Sequence, residues 1–248
     1  MAAWHERDDF WTTWAPYIFS GERLRIATAE VDLTVQLLAL RPGAAVLDLC
    51  CGVGRHCLEL ARRGYAVVGV DRTRAYLERA RADASAEGLK VEFVESDARS
   101  FSRPASFDAA FSMFTSFGYF EDQADDLKVM QTLHAALRTG GRLLIDINGK
   151  EVIARKLVQR EWRRHDDGTL GLEERKVRDG WEWIDSRWLL VGSGGKTWEG
   201  TISVHLYSGV ELRELLKHAG FNAIQLYGNL AGAPYDELAE RLVAVATR

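Results

Sequence analysis

Between residues 45 and 148 the chain keeps a regular beat, in which short apolar runs alternate with amphipathic stretches that close on glycine. The runs are AVLDLC (45–50), YAVVGVD (65–71), KVEFVE (90–95), FDAAFSMF (107–114) and RLLIDIN (142–148). Runs that are apolar nearly throughout suit strands covered on both faces, and KVEFVE has the alternation of a half-covered one. The stretches between them predict helices over 55–63, 73–87 and 122–137, closed by Gly64, Gly88 and Gly140-Gly141, because glycine most readily takes the left-handed conformation that ends a helix. Strand and helix taking turns at this spacing predict an α/β fold, a mostly parallel, doubly wound sheet with helices on both faces.

The flanks follow other rules. Trp11, Trp14, Tyr17, Ile18 and Phe19 precede Gly21, and then Leu24, Ala27, Val31, Val35 and Leu38 recur at helical spacing until Pro42-Gly43. From about 150 to 206 the pattern turns β-like, with five of the eight tryptophans (Trp162, Trp181, Trp183, Trp188 and Trp198) and turn signals at Asp166-Asp167-Gly168 and 192–195. Parallel-type grammar resumes with a helix at 208–219, capped by Gly220, and strands at 221–228 and 241–247. The expected organisation is an N-terminal helical lid (1–40), a core (41–149 and 207–248), and a small antiparallel β insertion after the fifth strand (150–206), serving as substrate lid or subunit contact.

Charge and composition narrow the function. With 32 basic and 36 acidic residues the 248-residue chain has a net charge of −4, so neither nucleic acid nor an anionic membrane is an expected partner. No apolar window approaches the length of a bilayer span. Glu6, Asp8 and Asp9, set among Trp4, Phe10 and Trp11, are unlike a secretory leader. Cys50, Cys51 and Cys57 are an odd number crowded into eight residues, with no CxxC pair. That is neither a disulfide framework nor a zinc site, and a reducing cytoplasm is the expected compartment.

The site is written in VLDLCCGVGRH (46–56). Asp48 ends a buried strand, Gly52 and Gly54 make the turn, and a helix begins at once; glycines there let backbone N–H groups approach a ligand. Asp71 ends the second strand 23 residues later, placed to accept both hydroxyls of a ribose, and Asp97 follows the third in ESDAR. The third glycine of a dinucleotide site would fall at Cys57, and no phosphate grip replaces it. The pocket therefore reads as one for an adenosine without phosphates, whose cationic end the acids suit. S-adenosylmethionine has such an end.

In order, VLDLCCGVGRH, VVGVD, ESDAR, FDAAFSMF and RLLIDIN resemble the class I S-adenosylmethionine-dependent methyltransferases, over a span from about Val31 to Val243. The resemblance implies a Rossmann-like sheet of seven strands in the order 3-2-1-4-5-7-6, only the last antiparallel, with the ligand over the ends of strands one to four. It implies S-adenosyl-L-methionine as cofactor and S-adenosyl-L-homocysteine as product. Carried over by position, Asp48 orients the methionine amino group and Gly52 permits close approach. Asp71 binds the ribose and Arg72 flanks the adenine. Asp97 and the Ala98 N–H read the adenine edge, and the Phe114 carbonyl lies near the ligand amine. Cys50, also a cofactor contact, stands where the family often has glycine, so its backbone is expected to avoid positive φ.

After strand four this chain has MFTSFGYF, without the Asn/Asp-Pro-Pro-aromatic tetrad of enzymes that methylate exocyclic amines of bases. Met113 and Phe114 cannot ligate magnesium, and Asp146 alone reads as a strand-end acid, so no metal is expected. The expected acceptor is a small organic molecule, methylated on N, O or C by in-line displacement in a chamber walled by Phe114, Phe117, Tyr119 and Phe120. Tyr17, Phe117, Tyr119, Trp183 and Tyr207 are its expected contacts, with Tyr17 also able to hold the cofactor carboxylate. His205 and Tyr119 are the catalytic candidates, whereas His56 is expected to pack or cap. The alternatives are a non-catalytic S-adenosylmethionine-binding regulatory subunit and a protein or RNA methyltransferase; a homodimer is compatible with the insertion.

Overall fold

The computed structural model describes residues 3–192 and 194–248; the first two residues of the expected lid, and Ser193 in the expected turn at 192–195, lie outside them. The N-terminal region forms α1 (Asp8–Ile18), α2 (Gly21–Arg25) and α3 (Ala27–Leu37). The helical pattern beginning at Leu24 is therefore split at Ile26. Ser20 starts the short α2 by accepting a hydrogen bond from the Arg23 N–H.

The alternating region follows as β1 (Ala45–Leu49), α4 (Arg55–Arg62), β2 (Ala66–Asp71), α5 (Arg74–Ala86), β3 (Val91–Glu95), β4 (Phe107–Ser112), α6 (Gln123–Ala136) and β5 (Leu137–Ile147). Of these, β5 starts five residues before the RLLIDIN run, because buried Leu137 already pairs with Phe107 ahead of a register shift. Next come α7 (Lys150–Lys156), β6 (Arg160–Arg164), β7 (Leu170–Arg178), β8 (Trp183–Val191), β9 (Thr197–His205), α8 (Gly209–His218), β10 (Asn222–Tyr227) and β11 (Leu242–Thr247).

The main sheet has the order β3-β2-β1-β4-β5-β11-β10. Counted within the core this is the expected 3-2-1-4-5-7-6, and β11 alone runs antiparallel to both its neighbours. Alternation along β1 divides the core: Leu47 and Leu49 pack with Met130 and Leu133 of α6 and with Leu212 and Leu216 of α8. Val46 faces the other way, toward Val31 of α3, Leu58 and Leu60 of α4, and Leu77 of α5. In-register pairing of Asp48 with Gly69 and Phe111, and of Asp71 with Glu95, brings the carboxyl ends of these strands to one edge.

The residues after α7 form a separate antiparallel sheet, β6-β7-β8-β9. Asp167 tightens the first hairpin by accepting from the Thr169 N–H at 2.9 Å. Phe10 and Trp14 of α1 pack with Trp188, Leu190 and Trp198 of this sheet. Gly200 allows the approach, since a Cβ there would lie 2.7 Å from the Phe10 ring. Trp4 adds a hydrogen bond from its indole N–H to the Ser203 carbonyl at 3.1 Å. Among the described residues no helix is long and apolar enough to cross a membrane.

Candidate active site

The turn after β1 is built from left-handed backbone: Cys50 has φ 65°, Gly52 57° and Gly54 73°. The expectation for Cys50 was wrong. A residue with a Cβ pays about 1–2 kcal/mol for that conformation, and here the turn imposes it where the next strand-to-helix step begins. Burial pushes the Cys50 thiol well up and the Cys51 thiol to about 11, so both are neutral spacers.

Asp71 holds the turn in place. Its Oδ2 accepts from the Gly52 N–H and its Oδ1 from the Thr73 N–H, both at 2.8 Å. Burial raises its pKa while the two amides oppose the rise. Asp48 is buried more completely, accepts from the Cys57 thiol at 3.2 Å, and is pushed up by desolvation to about 7. Asp97 is held below the ordinary carboxylate range by Arg99, whose backbone N–H, Nε and Nη2 all donate to it at 2.7–2.9 Å. Arg72 Nη1 donates to the His5 carbonyl at 3.1 Å and lies 3.3 Å from Asp8 Oδ1, tying the N-terminal segment to this edge.

These groups open onto one cavity of about 560 Å³. All the sequence-expected cofactor contacts line it: Asp48, Cys50, Gly52, Asp71, Arg72, Asp97, Ala98 and Phe114. So do Tyr17, Phe117, Tyr119 and Phe120. The second sheet and α1 supply the opposite wall through Trp11, Trp14, Trp188 and Leu190.

Three expected residues do not line the cavity. Along the end of β9, Ile202, Val204 and Leu206 face it, so the two-residue period turns His205 and Tyr207 away. His205 packs 5.3 Å from Trp183 and 4.4 Å from Tyr207, with its Nε2 2.9 Å from Gln123 Nε2. The Tyr207 hydroxyl donates to buried Asp126 at 2.7 Å. Trp183 pairs across the strands with His205 and shares its orientation. Catalytic His205 and substrate-binding Trp183 and Tyr207 are therefore corrected to a structural cluster.

Two others keep their place and change their chemistry. Tyr119 packs 4.7 Å from Trp4, and burial pushes its phenol pKa up, which makes it a hydrogen-bond donor and not a base. Tyr17 sets its hydroxyl 3.4 Å from Asp167 Oδ2 and 3.5 Å from Thr169 Oγ1. Asp167 would repel a cofactor carboxylate there.

Sequence reasoning missed His56, which lines the cavity together with His5 and His165. His56 stacks on Phe114 with ring centres 5.7 Å apart, and its Nε2 lies 2.9 Å from Glu30 Oε2. Burial lowers the His56 pKa, so it is neutral. For Glu30 burial works upward, but hydrogen bonding from His56 and the charge of Arg55 outweigh it and leave an ionised acceptor. The proton of His56 therefore sits on Nε2 and leaves Nδ1 as a lone pair. Phe114 itself, at φ 59°, is anchored by its N–H donating to Asp146 Oδ2 at 3.0 Å, and Asp146 accepts from Arg241 Nε at 2.7 Å. The one available signal was Glu30 itself, a charge beside the apolar-spaced Ala27 and Val31.

Comparison with known proteins agrees with this geometry. Residues 46–141 match the model of a methyltransferase domain family. The chain is 45% identical over 83 residues, 33% of its length, to a 23S rRNA (uracil(1939)-C(5))-methyltransferase of Alkalilimnicola ehrlichii, covering 19% of it. It is 37% identical over 127 residues, 50% of its length, to the demethylmenaquinone methyltransferase of Thermus thermophilus, covering 54% of it. The chain thus spans about a fifth to about half the length of these two relatives. Solved structures extend the likeness to the whole fold. An S-adenosylmethionine-dependent methyltransferase of Clostridium acetobutylicum superimposes with a TM-score of 0.78 at 18% identity, over 97% of this chain and 98% of that one. An S-adenosylmethionine-bound amino pentose methyltransferase of Micromonospora echinaspora gives 0.70 at 23% identity, over 96% of each chain.

Proposed function

We propose that this chain is a class I S-adenosylmethionine-dependent methyltransferase that moves the cofactor's methyl group to N, O or C of a small organic molecule without a metal. The observation that carries the reading is one cavity joining the acids at the ends of β1, β2 and β3 to an aromatic chamber.

The residues present fit the cofactor. Asp48 is a buried acid that, among the described residues, has no cation bonded to it, and an ammonium group would complete it. Asp71 would take the ribose hydroxyls, Asp97 and the Ala98 N–H the adenine edge, and Gly52 would leave room for the backbone to come close. When bound, the sulfonium supplies a methyl that is already activated. The chain's own part is alignment and exclusion of water. Phe117, Tyr119 and Trp188 exclude water, the Tyr119 hydroxyl orients the acceptor, and His56 Nδ1 takes the acceptor's proton, the role first expected of His205. In this reading α1 and α2 and the insertion at 150–206 form the lid, whereas α3 packs in the core against α4 and not over it.

A small acceptor is favoured over RNA because the match to the rRNA enzyme covers only 83 residues. The acceptor walls contributed by α1 and by the second sheet are part of the aromatic chamber, and the net charge of −4 disfavours a polyanion. The test is incubation with methyl-labelled S-adenosylmethionine and, in separate reactions, a library of small amines and hydroxy compounds, bulk RNA, and bulk protein. Label in a small product with stoichiometric S-adenosylhomocysteine is expected. Label in RNA or protein would replace the small-molecule reading, and binding without turnover in any mixture would make the chain a regulatory subunit.

A further inference from the structure

The turn that follows β4 is held in a conformation its residues do not favour. Phe114 and Thr115 stand consecutively at φ 59° and 62°, and for a β-branched residue such as Thr115 a positive φ is a genuine outlier. Backbone of this kind persists only where its surroundings over-determine it, and such places gather at functional sites. The surroundings here centre on Arg241, which directly precedes β11 and lines the cavity. Its Nε donates to Asp146 Oδ1 at 2.7 Å and its Nη1 to Asn148 Oδ1 at 2.6 Å. Its Nη2 donates to Thr115 Oγ1 at 3.2 Å and to the Asp146 carbonyl at 3.4 Å.

Asp146, 2% exposed, carries this hold to the turn. Its Oδ2 accepts from the Phe114 N–H and its carbonyl from the Thr115 N–H, both at 3.0 Å. Thr115 Oγ1 in turn accepts from the Asn148 N–H at 3.1 Å. One ion pair would suffice to join β5 to β11, whereas these bonds converge on the two left-handed residues. What the turn presents is the Phe114 ring, and His56 lies against it with only 10° between the ring planes. The contact of Nε2 with Glu30 pins one corner of the imidazole, and the parallel Phe114 face holds its plane.

Resting on the reading of His56 as the group that takes the acceptor's proton, we propose that Arg241 is a positioning residue for that base. Through Asp146 it locks the turn at Phe114 and Thr115, and so sets the plane of the His56 imidazole and the direction of its Nδ1 lone pair. Every nitrogen of the guanidinium is engaged, so Arg241 acts through these partners and not on the acceptor. A lysine ammonium, a point charge without the planar fork, could keep Asp146 but not all three partners.

The test is nuclear magnetic resonance of the full chain labelled at histidine, which needs no acceptor. His56→Gln identifies the His56 ring signal, and Phe114→Leu shows where it falls without the ring current of Phe114. In Arg241→Met that signal is expected at the Phe114→Leu position while the other imidazoles keep theirs, which a general loss of structure would not allow. Arg241→Lys should restore only part of the displacement. With an acceptor found by label transfer, kcat of Arg241→Met should fall by about tenfold to a hundredfold. An unmoved His56 signal in Arg241→Met, full restoration by lysine, or undiminished kcat would overturn the proposal. Should Arg241→Met fail to fold, Asn148→Ala and Thr115→Val each remove one partner of the fork and should displace the same signal; no displacement in either would overturn it. Undiminished turnover of His56→Ala would overturn the base reading instead, and the histidine signals separate the two failures.

Discussion

Asp48 and His56 stand eight residues apart on either side of the glycine turn, and the protonation of each matters to the proposed site. Burial holds Asp48 up at about 7, yet an ammonium partner requires the ionised form. Below that pH cofactor binding must therefore expel a proton, and affinity falls toward about tenfold per pH unit. Calorimetry at pH 6 in buffers of differing ionisation enthalpy should show proton release, and a buffer-independent heat would remove the ammonium from Asp48. The sign for the empty protein follows from the same shift. The folded group keeps its proton where the unfolded one has lost it, so its contribution to stability falls as pH rises from about 4 to 7. For His56, replacement by alanine should lower kcat by about a hundredfold or more at unchanged affinity for S-adenosylhomocysteine. Undiminished turnover would assign the base elsewhere. Residue types alone could not show that Cys50 takes a positive φ, nor that Glu30 reaches back to His56: both follow from how the chain folds around the turn.

At the scale of elements, the parallel strands were legible because they are short apolar or alternating runs separated by amphipathic stretches, most of which close on glycine. The second sheet was legible as antiparallel, but which face each residue takes was not. β6 is exposed along its whole length and so has no apolar face to set its phase. At the end of β9 the phase is set by contact with the cavity and α6, which is why His205 and Tyr207 were expected on the wrong side. The junction of this sheet with α1 rests on Gly200, whose missing side chain admits the Phe10 ring. Gly200→Ala should destabilise the protein by about 1–3 kcal/mol through overpacking, read by denaturant unfolding, and should weaken cofactor binding because α1 lines the cavity. Unchanged stability would mean that α1 shifts freely against the sheet.

For the molecule as a whole, the order of the main sheet determines where chemistry can occur. The five parallel strands β1–β5 carry their carboxyl ends to one edge, and α1 and the second sheet wall the cavity at that edge. The sequence pattern of acids after three strands was sufficient to locate the edge, because those residues must sit where strands end. The ion pairs around Phe114 were not legible, because Glu30 and Arg55, and Asp146 and Arg241, come from distant parts of the chain. The central claim is that the carboxylates at this edge hold S-adenosylmethionine. Its most direct measurement is calorimetric titration of the parent and of Asp71→Ala with S-adenosylhomocysteine. The account predicts one site per chain in the parent and a loss of about 1.5–3 kcal/mol in the variant, as for hydrogen bonds to a charged group. Equal affinity in both, or no binding by the parent, would contradict it.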